Sequence, residues 1–498
     1  MKRFQGSSVP GFQGWVLGVL RVLGVLAVLG VLGVLGVATS ASAQTMDSNA
    51  VLASIDRRAA AYRDVAMKIW SMAEVGYQET QSSALLQEQL RAAGFNIAAG
   101  VAEMPTAFTA TWGSGKPVIG IIGEFDALPG LSQAADPIRR AVVENGAGHG
   151  CGHHLFGTAS TAAAIAVKEW LAANKRGGTI RFYGTPAEEG GGGKVYMLRA
   201  GLFDDVDAVV TMHPGDRNAA SASSNLANIS GKFRFRGVSA HAAGAPHRGR
   251  SALDGVEAMN HMVNMMREHV PQETRIHYVI TQGGSAPNVI PDFAEVFYYV
   301  RHPDPRQVHE IFERVSKSAE GAALGTGTRV EHEIIHGIYA VLPNEPLARA
   351  MDANLRRVGG VQYDAKERAF AETLRKSLGD DAPPVDSAAE VAPFAFYRSG
   401  GSTDVADVSW VMPTLQLSVT TAPADAPWHA WPVVACGGMS IGHKGMIHAS
   451  KALAATMVDL FRDPKQVAVI AKEFEEKTRG IEYVPYIPAG PPVPPPTN

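Results

Sequence analysis

Apolar residues recur at spacings of three and four in the first part of the chain that follows residue 48. This periodicity is typical of amphipathic helices. It predicts two helices between Ser48 and Phe95, separated by a break near Gly76. The apolar positions are Leu52, Ile55, Ala59, Tyr62, Val65 and Ile69, then Leu85, Leu86 and Leu90.

Brief apolar segments bounded by Gly and Pro follow these helices, and such segments are typical of strands. They predict strands at 107–112, 117–123, 179–184 and 207–212, with a helix at 159–173. Strands that alternate with helices indicate an α/β domain with a central mixed sheet flanked by helices. In such domains, chemistry collects at the carboxyl ends of the strands.

The pattern changes near Asn225, where the predicted order becomes strand, helix, strand, strand, helix, strand. This βαββαβ order is that of a ferredoxin-like α+β module. We therefore predict an inserted domain at 225–336 within a catalytic domain made of 46–222 and 340–478. The proline-rich end, 484–498, is predicted to be disordered.

The first 43 residues have the features of a secretory signal peptide. Lys2 and Arg3 precede a Val, Leu and Gly run that ends in Ala41-Ser42-Ala43, a small-residue cleavage pattern. An uncleaved membrane anchor is the alternative, because the apolar run is long. Cleavage implies a secreted or periplasmic protein, and no later stretch is long and apolar enough to predict a membrane span.

Composition and charge narrow the class of protein. The 498 residues are 46% hydrophobic, which excludes a disordered chain. Removal of the signal peptide leaves 42 basic and 48 acidic residues, so no nucleic acid or other anionic partner is expected. The two cysteines, Cys151 and Cys436, exclude a scaffold of several disulfides.

A thiol and three imidazoles lie in one glycine-rich segment, residues 148–154. Cys151 and His153 are two apart, a spacing at which both can be metal ligands. A flexible loop with exposed histidines is the alternative for this segment.

Two further segments strengthen the prediction of a metal site. Glu188 and Glu189 directly follow a predicted strand, and His213 ends another. Adjacent side chains point in different directions, so one carboxylate can hold a metal while the other faces a water molecule. This division suits metal-assisted hydrolysis with a Glu as general base.

These motifs, with others in order along the chain, resemble the dizinc aminoacylase and carboxypeptidase superfamily of metallopeptidases. Within it they are most similar to the amidohydrolase branch that acts on auxin conjugates and hippurate. The shared segments are 73–79, 123–129, 151–153, 186–190, 212–214, 239–243, 288–291, 401–405 and 443–446. Two positions depart from the pattern, because Glu124 and His154 stand where Asp is common.

The resemblance implies roles for individual residues. Cys151 is expected to ligate metal and to bridge two ions, and Glu188 to act as the general base. Asp126 is expected to orient a ligating side chain. The remaining implied ligands are His153, Glu189, His213 and, as the last, His429, with His443 as the alternative.

The resemblance also implies substrate contacts, cofactors and an assembly. His241 and Asn288 of the inserted domain are expected to reach the substrate, and that domain is expected to form a homodimer or a lid. The expected cofactors are two divalent ions, zinc with manganese or cobalt as alternatives.

The implied reaction is hydrolysis of the amide bond of small N-acyl or N-aroyl amino acids, p-aminobenzoyl-glutamate-like compounds among them. A dipeptidase or carboxypeptidase of the same superfamily is one alternative, and a non-catalytic binding protein on this fold is another. A Cys151–Cys436 disulfide is the structural alternative to metal ligation, because a bridged sulfur is no longer a thiolate.

Overall fold

The computed structural model describes residues 49–378 and 382–492. The predicted signal peptide, 1–43, therefore lies outside the described residues. None of the helices in the described ranges has the combination of length and apolarity that crossing a bilayer requires.

A six-stranded mixed sheet forms the larger unit. Its strands are β1 (Asn96–Ala99), β2 (Phe108–Ser114), β3 (Val118–Glu124), β4 (Gly178–Thr185), β5 (Ala208–Gly215) and β10 (Thr414–Thr420). They lie in the order β1-β2-β4-β3-β5-β10. The strands β4, β3, β5 and β10 are parallel, while β1 and β2 pair antiparallel at one edge.

Helices flank this sheet, which confirms the predicted α/β class with a central mixed sheet. Every residue of β3 is buried, as expected of a strand covered on both faces. The helix α4 (His153–Ala173) is apolar nearly all round and packs against both β3 and α12 (Ser440–Arg462). Its many alanines suit the close approach of a second helix.

The other helices of the larger unit surround this core. They are α1 (49–57), α2 (Ala59–Met72), α3 (Thr80–Ala92), α5 (Gly193–Arg199), α8 (Glu345–Val358), α9 (Ala365–Arg375), α10 (Val405–Val411), α11 (Trp431–Gly437) and α13 (Pro464–Thr478).

A second, four-stranded antiparallel sheet has its own apolar core with two helices. Along the chain its elements alternate as β, α, β, β, α, β. They are β6 (Ala227–Arg236), α6 (Ala252–Met266), β7 (Arg275–Gln282), β8 (Phe293–His302), α7 (Pro305–Thr326) and β9 (Arg329–Ile338). The strands of this sheet lie in the order β7-β8-β6-β9.

The structure differs at the C-terminal end from the disorder that its proline content predicts. Among the described residues of that end, the ring of Tyr486 stacks on His309 and on Tyr339, with centroids 5.5 and 5.3 Å apart. The backbone of Val484 accepts a hydrogen bond from the Tyr339 hydroxyl at 3.1 Å. The aromatic side chains among the prolines explain why residues 484–492 pack; 493–498 lie outside the described residues.

A buried acid in this region predicts a pH-dependent stability. Asp407 accepts hydrogen bonds from the Tyr483 hydroxyl and the Tyr339 N–H, yet burial raises its pKa to about 8. A raised pKa in the folded state contributes stability at low pH that is lost as pH rises through about 8.

The Asp407→Asn variant cannot ionise, so its melting temperature should rise relative to the wild type between about pH 5 and 9. Each kcal/mol corresponds to about 2–4 °C in a domain of this size. Calorimetry of both proteins across this range measures the difference, and a difference that is constant with pH would contradict the assignment.

Candidate metal centre and substrate cavity

The predicted site residues come together at the carboxyl ends of four neighbouring parallel strands. Glu124 ends β3, and Asp126 lies two residues beyond it. Glu188 and Glu189 follow β4, while His213 lies near the end of β5. The loop after β10 carries His429. Because parallel strands end at the same edge, residues distant in sequence meet there.

A tight turn before α4 presents Cys151 and His153. Gly152 between them has φ +74°, a left-handed conformation that favours glycine. A Cβ at this position would lie 2.9 Å from Cβ of Pro214. The glycine therefore lets the turn approach the end of β5, where His213 lies.

Cys151, His153 and His213 form one group of potential ligands, whose donor atoms lie within 4.8 Å of one another. The Cys151 Sγ is 3.3 Å from Nε2 of His213. The other nitrogen of His213, Nδ1, is 2.7 Å from the carbonyl of Pro214, which directs Nε2 towards the thiol.

Cys151 also belongs to a second group, with Glu189 and His429, that meets the same distance limit. His429 Nε2 lies 3.2 Å from Glu189 Oε1. Its backbone N–H donates to the carbonyl of Gly150 at 3.0 Å, which ties this loop to the Cys-Gly-His turn. One thiol shared by two groups is the arrangement that a sulfur bridging two ions requires.

The electrostatic setting of these ligands favours cations. Burial raises the pKa of the Cys151 thiol well above its usual value, so a thiolate here needs a neighbouring positive charge. Burial lowers the pKa of His213 to about 4, which keeps this imidazole neutral and able to ligate at neutral pH.

Asp126 orients both groups. Its Oδ1 is 2.8 Å from Nδ1 of His153, and its Oδ2 accepts the N–H of Glu189 at 3.0 Å. Burial opposes ionisation of Asp126, but His153 and this N–H lower its pKa overall. For His153 burial acts in the opposite direction, and the carboxylate of Asp126 raises its pKa well above the usual range.

Glu188 lies beside the cluster without joining either group. One of its oxygens lies within 4.8 Å of donor atoms of Glu124 and His153. Burial, then the carboxylates of Glu124 and Glu189, raise the pKa of Glu188 well above its usual value. A carboxylate with strong proton affinity can take a proton from water and return it to a leaving group.

Unsatisfied polar atoms test whether the residues fit metal ions. His153 Nε2 and Glu189 Oε1 are buried and have no hydrogen-bond partner among the described residues. Buried polar atoms of this kind are costly unless something pairs with them. Thiol, imidazole and carboxylate are also the donor set of zinc sites. The residues present therefore fit divalent ions.

Three of the predicted or alternative site residues lie elsewhere. His241 and Asn288 are exposed on the smaller unit and are not among the residues that line the cavity beside the cluster. The alternative ligand His443 has its Nε2 3.2 Å from Sδ of Met67, outside both ligand groups. The geometry therefore favours His429 over His443 as the last ligand.

A cavity of about 930 Å³ opens beside the cluster and extends to the smaller unit. Arg301 of β8 lines it, with Nη1 3.2 Å from Oγ of Ser402 and no ion pair among the described residues. Its buried Nε has no hydrogen-bond partner there either. The ring of Trp428, with its centroid 6.0 Å from that of His213, forms part of the wall.

Sequence reasoning did not identify Arg301, Trp428 or Lys194 as part of this region. Lys194 had one available signal: it is a single charge in a run of apolar residues, 195–198, that the structure buries completely. Such a charge needs a buried partner. The sequence did not say which residue supplies it.

Both cysteines are free thiols, so the alternative of a Cys151–Cys436 disulfide does not hold in this structure. Cys436 is fully buried in α11. Cys151 therefore remains available as a ligand.

Comparison with known proteins gives a consistent result. Residues 120–381 match the family model described as peptidase family M20/M25/M40. The chain is 42% identical over 444 residues to one component chain of the p-aminobenzoyl-glutamate hydrolase of Escherichia coli (strain K12), covering 84% of this chain and 92% of the relative. It is 27% identical to the Xaa-Arg dipeptidase of Homo sapiens, with coverage of 86% and 92%.

Among solved structures, a dinuclear metal-binding peptidase of Bacillus subtilis superposes with a TM-score of 0.55 at 18% identity. The match covers 82% of this chain and 99% of that one. At this identity the likeness concerns the fold.

Proposed function

The chain belongs to peptidase family M20/M25/M40, and from this premise we propose that it hydrolyses the amide bond of N-aroyl or N-acyl amino acids. It is a hydrolase of amide bonds. The observation that carries the proposal is Cys151, shared between two ligand groups with the carboxylate of Glu188 beside them.

The residues that would hold the ions divide into the two groups described above. We propose that His153 and His213 hold one divalent ion, Glu189 and His429 the other, and that the Cys151 thiolate contacts both. We favour zinc because of the thiolate, with manganese or cobalt as alternatives. When bound, such ions supply Lewis-acid chemistry that polarises a carbonyl and makes water more acidic.

The protein's own residues then move the proton. Glu188 accepts a proton from the attacking water and delivers it to the departing amine. Asp126 keeps His153 in the tautomer whose Nε2 faces the cluster. The amide bond breaks, and a carboxylic acid and an amino acid leave.

The cavity supports an acylated amino acid as substrate. Arg301 is a half-buried cation without an ionic partner among the described residues, and a substrate carboxylate would pair with it. The flat apolar face of Trp428, close to His213, would suit an aryl group. The 42% identical relative is named for hydrolysis of an aroyl-glutamate, which agrees with both features.

A substrate panel tests this function. The purified protein should cleave p-aminobenzoyl-glutamate and benzoyl-glutamate with higher kcat/KM than acetyl-glutamate or an Xaa-Arg dipeptide. A preference for the dipeptide would favour the dipeptidase alternative, which the human relative represents. Binding without cleavage of any compound would favour a binding protein.

Replacement of Arg301 by Met should weaken recognition of the substrate carboxylate. Loss of a charged hydrogen-bond partner costs about 1.5–3 kcal/mol, which is about 10–100-fold in kcat/KM. The loss should be much smaller for an aroyl amino acid whose carboxylate is converted to an amide. Steady-state kinetics on both compounds measures this difference.

Arg234→Met is the matched control, because Arg234 pairs with Glu295 and Glu333 on the same sheet and does not line the cavity. Equal losses on both compounds in Arg301→Met would contradict the assigned contact.

We also propose export and dimerisation, on separate grounds. The segment 1–43 supports a secreted or periplasmic location. The smaller unit, 225–336, is proposed to be a ferredoxin-like lid and dimerisation domain. The exposed positions of His241 and Asn288, away from this chain's cavity, support a homodimer in which they reach the cavity of the other protomer.

A further inference from the structure

Lys194 is a fully buried ammonium group behind the candidate metal centre. It is the second residue of α5, which begins after the glycine run that follows Glu189. Its Nζ lies 2.8 Å from Glu124 Oε1 and 2.6 Å from Asp404 Oδ1. Its backbone N–H also donates to Asp404 Oδ2 at 3.0 Å. Three distant segments of the chain therefore meet at this one side chain.

Such a group is not needed for the stability of the fold. The removal of an ammonium ion and two carboxylates from water costs several kcal/mol per ion, and well-packed apolar residues often replace buried ion pairs without loss. The neighbouring residues of α5 are apolar and buried, so an apolar residue at 194 would match its surroundings. The location of Lys194 beside the catalytic cluster points to another role.

The contact from Lys194 continues to a candidate ligand. Lys194 holds one oxygen of Glu124, and the other oxygen, Oε2, lies 3.2 Å from Nε2 of His153. This pair lacks hydrogen-bond geometry, although both atoms are buried. Donor atoms of Glu124, His153 and Glu188 lie within 4.8 Å of one another. Glu124 Oε2 and His153 Nε2 therefore face a common position.

We propose that Lys194 is a positioning residue that fixes the carboxylate of Glu124 at the metal held by His153, with Asp404 as its second anchor. Glu124 is longer by one methylene than the Asp common at this position in similar sequences, so its carboxylate needs a fixed partner to face one direction. This inference rests on the proposed function, because it assigns a role to Lys194 in the same centre.

The Lys194→Met variant tests the proposal through its metal content. Loss of a residue that orients ligands typically costs about 10–100-fold in metal affinity or activity. After dialysis against a weak chelator, the wild type should retain two ions per chain and the variant about one. The kcat of the remaining loaded protein should fall about 10–100-fold, with little change in KM.

The double variant Glu124→Gln/Lys194→Met separates positioning from stability. It removes the carboxylate that Lys194→Met leaves without its cation, so its melting temperature should recover towards that of the wild type. Its weaker metal binding should persist, because no charged carboxylate is held at His153. If Lys194 has a structural role alone, metal binding would recover together with the melting temperature. The double variant also serves if the single variant does not fold.

Asp407→Asn is the matched control, because Asp407 is buried in the same short helix, α10, that follows Asp404 and has no contact with Lys194. It should keep two ions and wild-type kcat. A Lys194→Met protein that binds both ions as tightly as the wild type overturns the proposal. Failure of the proposed function would differ, because the wild type itself would then bind metal but cleave no compound in the panel.

Discussion

Replacement of Glu188 by Gln is expected to lower kcat by about 10²–10⁴-fold, the contribution typical of a general base. Glutamine has nearly the same shape, but its amide cannot accept the proton of the attacking water. Because Glu188 lies outside both ligand groups, the variant should keep its full metal content. The turnover of p-aminobenzoyl-glutamate, together with elemental analysis of the same sample, measures both properties.

Glu189→Gln is the control for this experiment, because it changes the adjacent carboxylate in the same way. Glu189 lies in a ligand group, 3.2 Å from Nε2 of His429. This variant should lose metal as well as activity. Undiminished turnover in Glu188→Gln would refute the role of Glu188 as base.

Replacement of Cys151 by Ala is expected to remove metal from both positions at once. Cys151 is the residue shared by the two groups, whereas each of the other ligands belongs to a single ion. The metal content should fall from two ions to less than one, and hydrolysis should be lost. The melting temperature should also fall, since ligand at about 1,000 times its Kd stabilises a protein by about 4 kcal/mol.

Cys436→Ala provides a matched control within the same chain. Cys436 is also a buried free thiol, but it lies in an apolar cluster and in neither ligand group. Its replacement should lower the melting temperature slightly and leave metal content and activity at wild-type values. If Cys151→Ala kept both ions, the bridging role of the thiolate would be refuted.

The local pattern of the sequence predicted much of the fold. The apolar runs at 117–123 and 179–184 correspond to β3 (Val118–Glu124) and β4 (Gly178–Thr185) within one residue at each end. Their success has a physical reason: a strand buried on both faces is a continuous apolar run. The last long helix was harder, because α12 begins at Ser440 and not near His448, as the sequence suggested.

The candidate site was predictable only in part. Cys151, His153, Glu188 and Glu189 lie in compact motifs, so their proximity follows from local sequence. The choice between His429 and His443 depended on a loop that a hydrogen bond to Gly150 holds in place. The contacts of Lys194 join residues up to 210 positions apart, and no local pattern specifies such a pairing.

Anomalous diffraction from crystals of the purified protein, collected at the absorption edge of the bound metal, tests the central claim most directly. We predict two peaks, about 3.5–4 Å apart. The Cys151 sulfur should lie between them, at about 2.3 Å from each if the ions are zinc. His153 and His213 should contact one ion, and Glu189 and His429 the other. A sulfur bonded to neither ion, or joined to Cys436, would contradict the account.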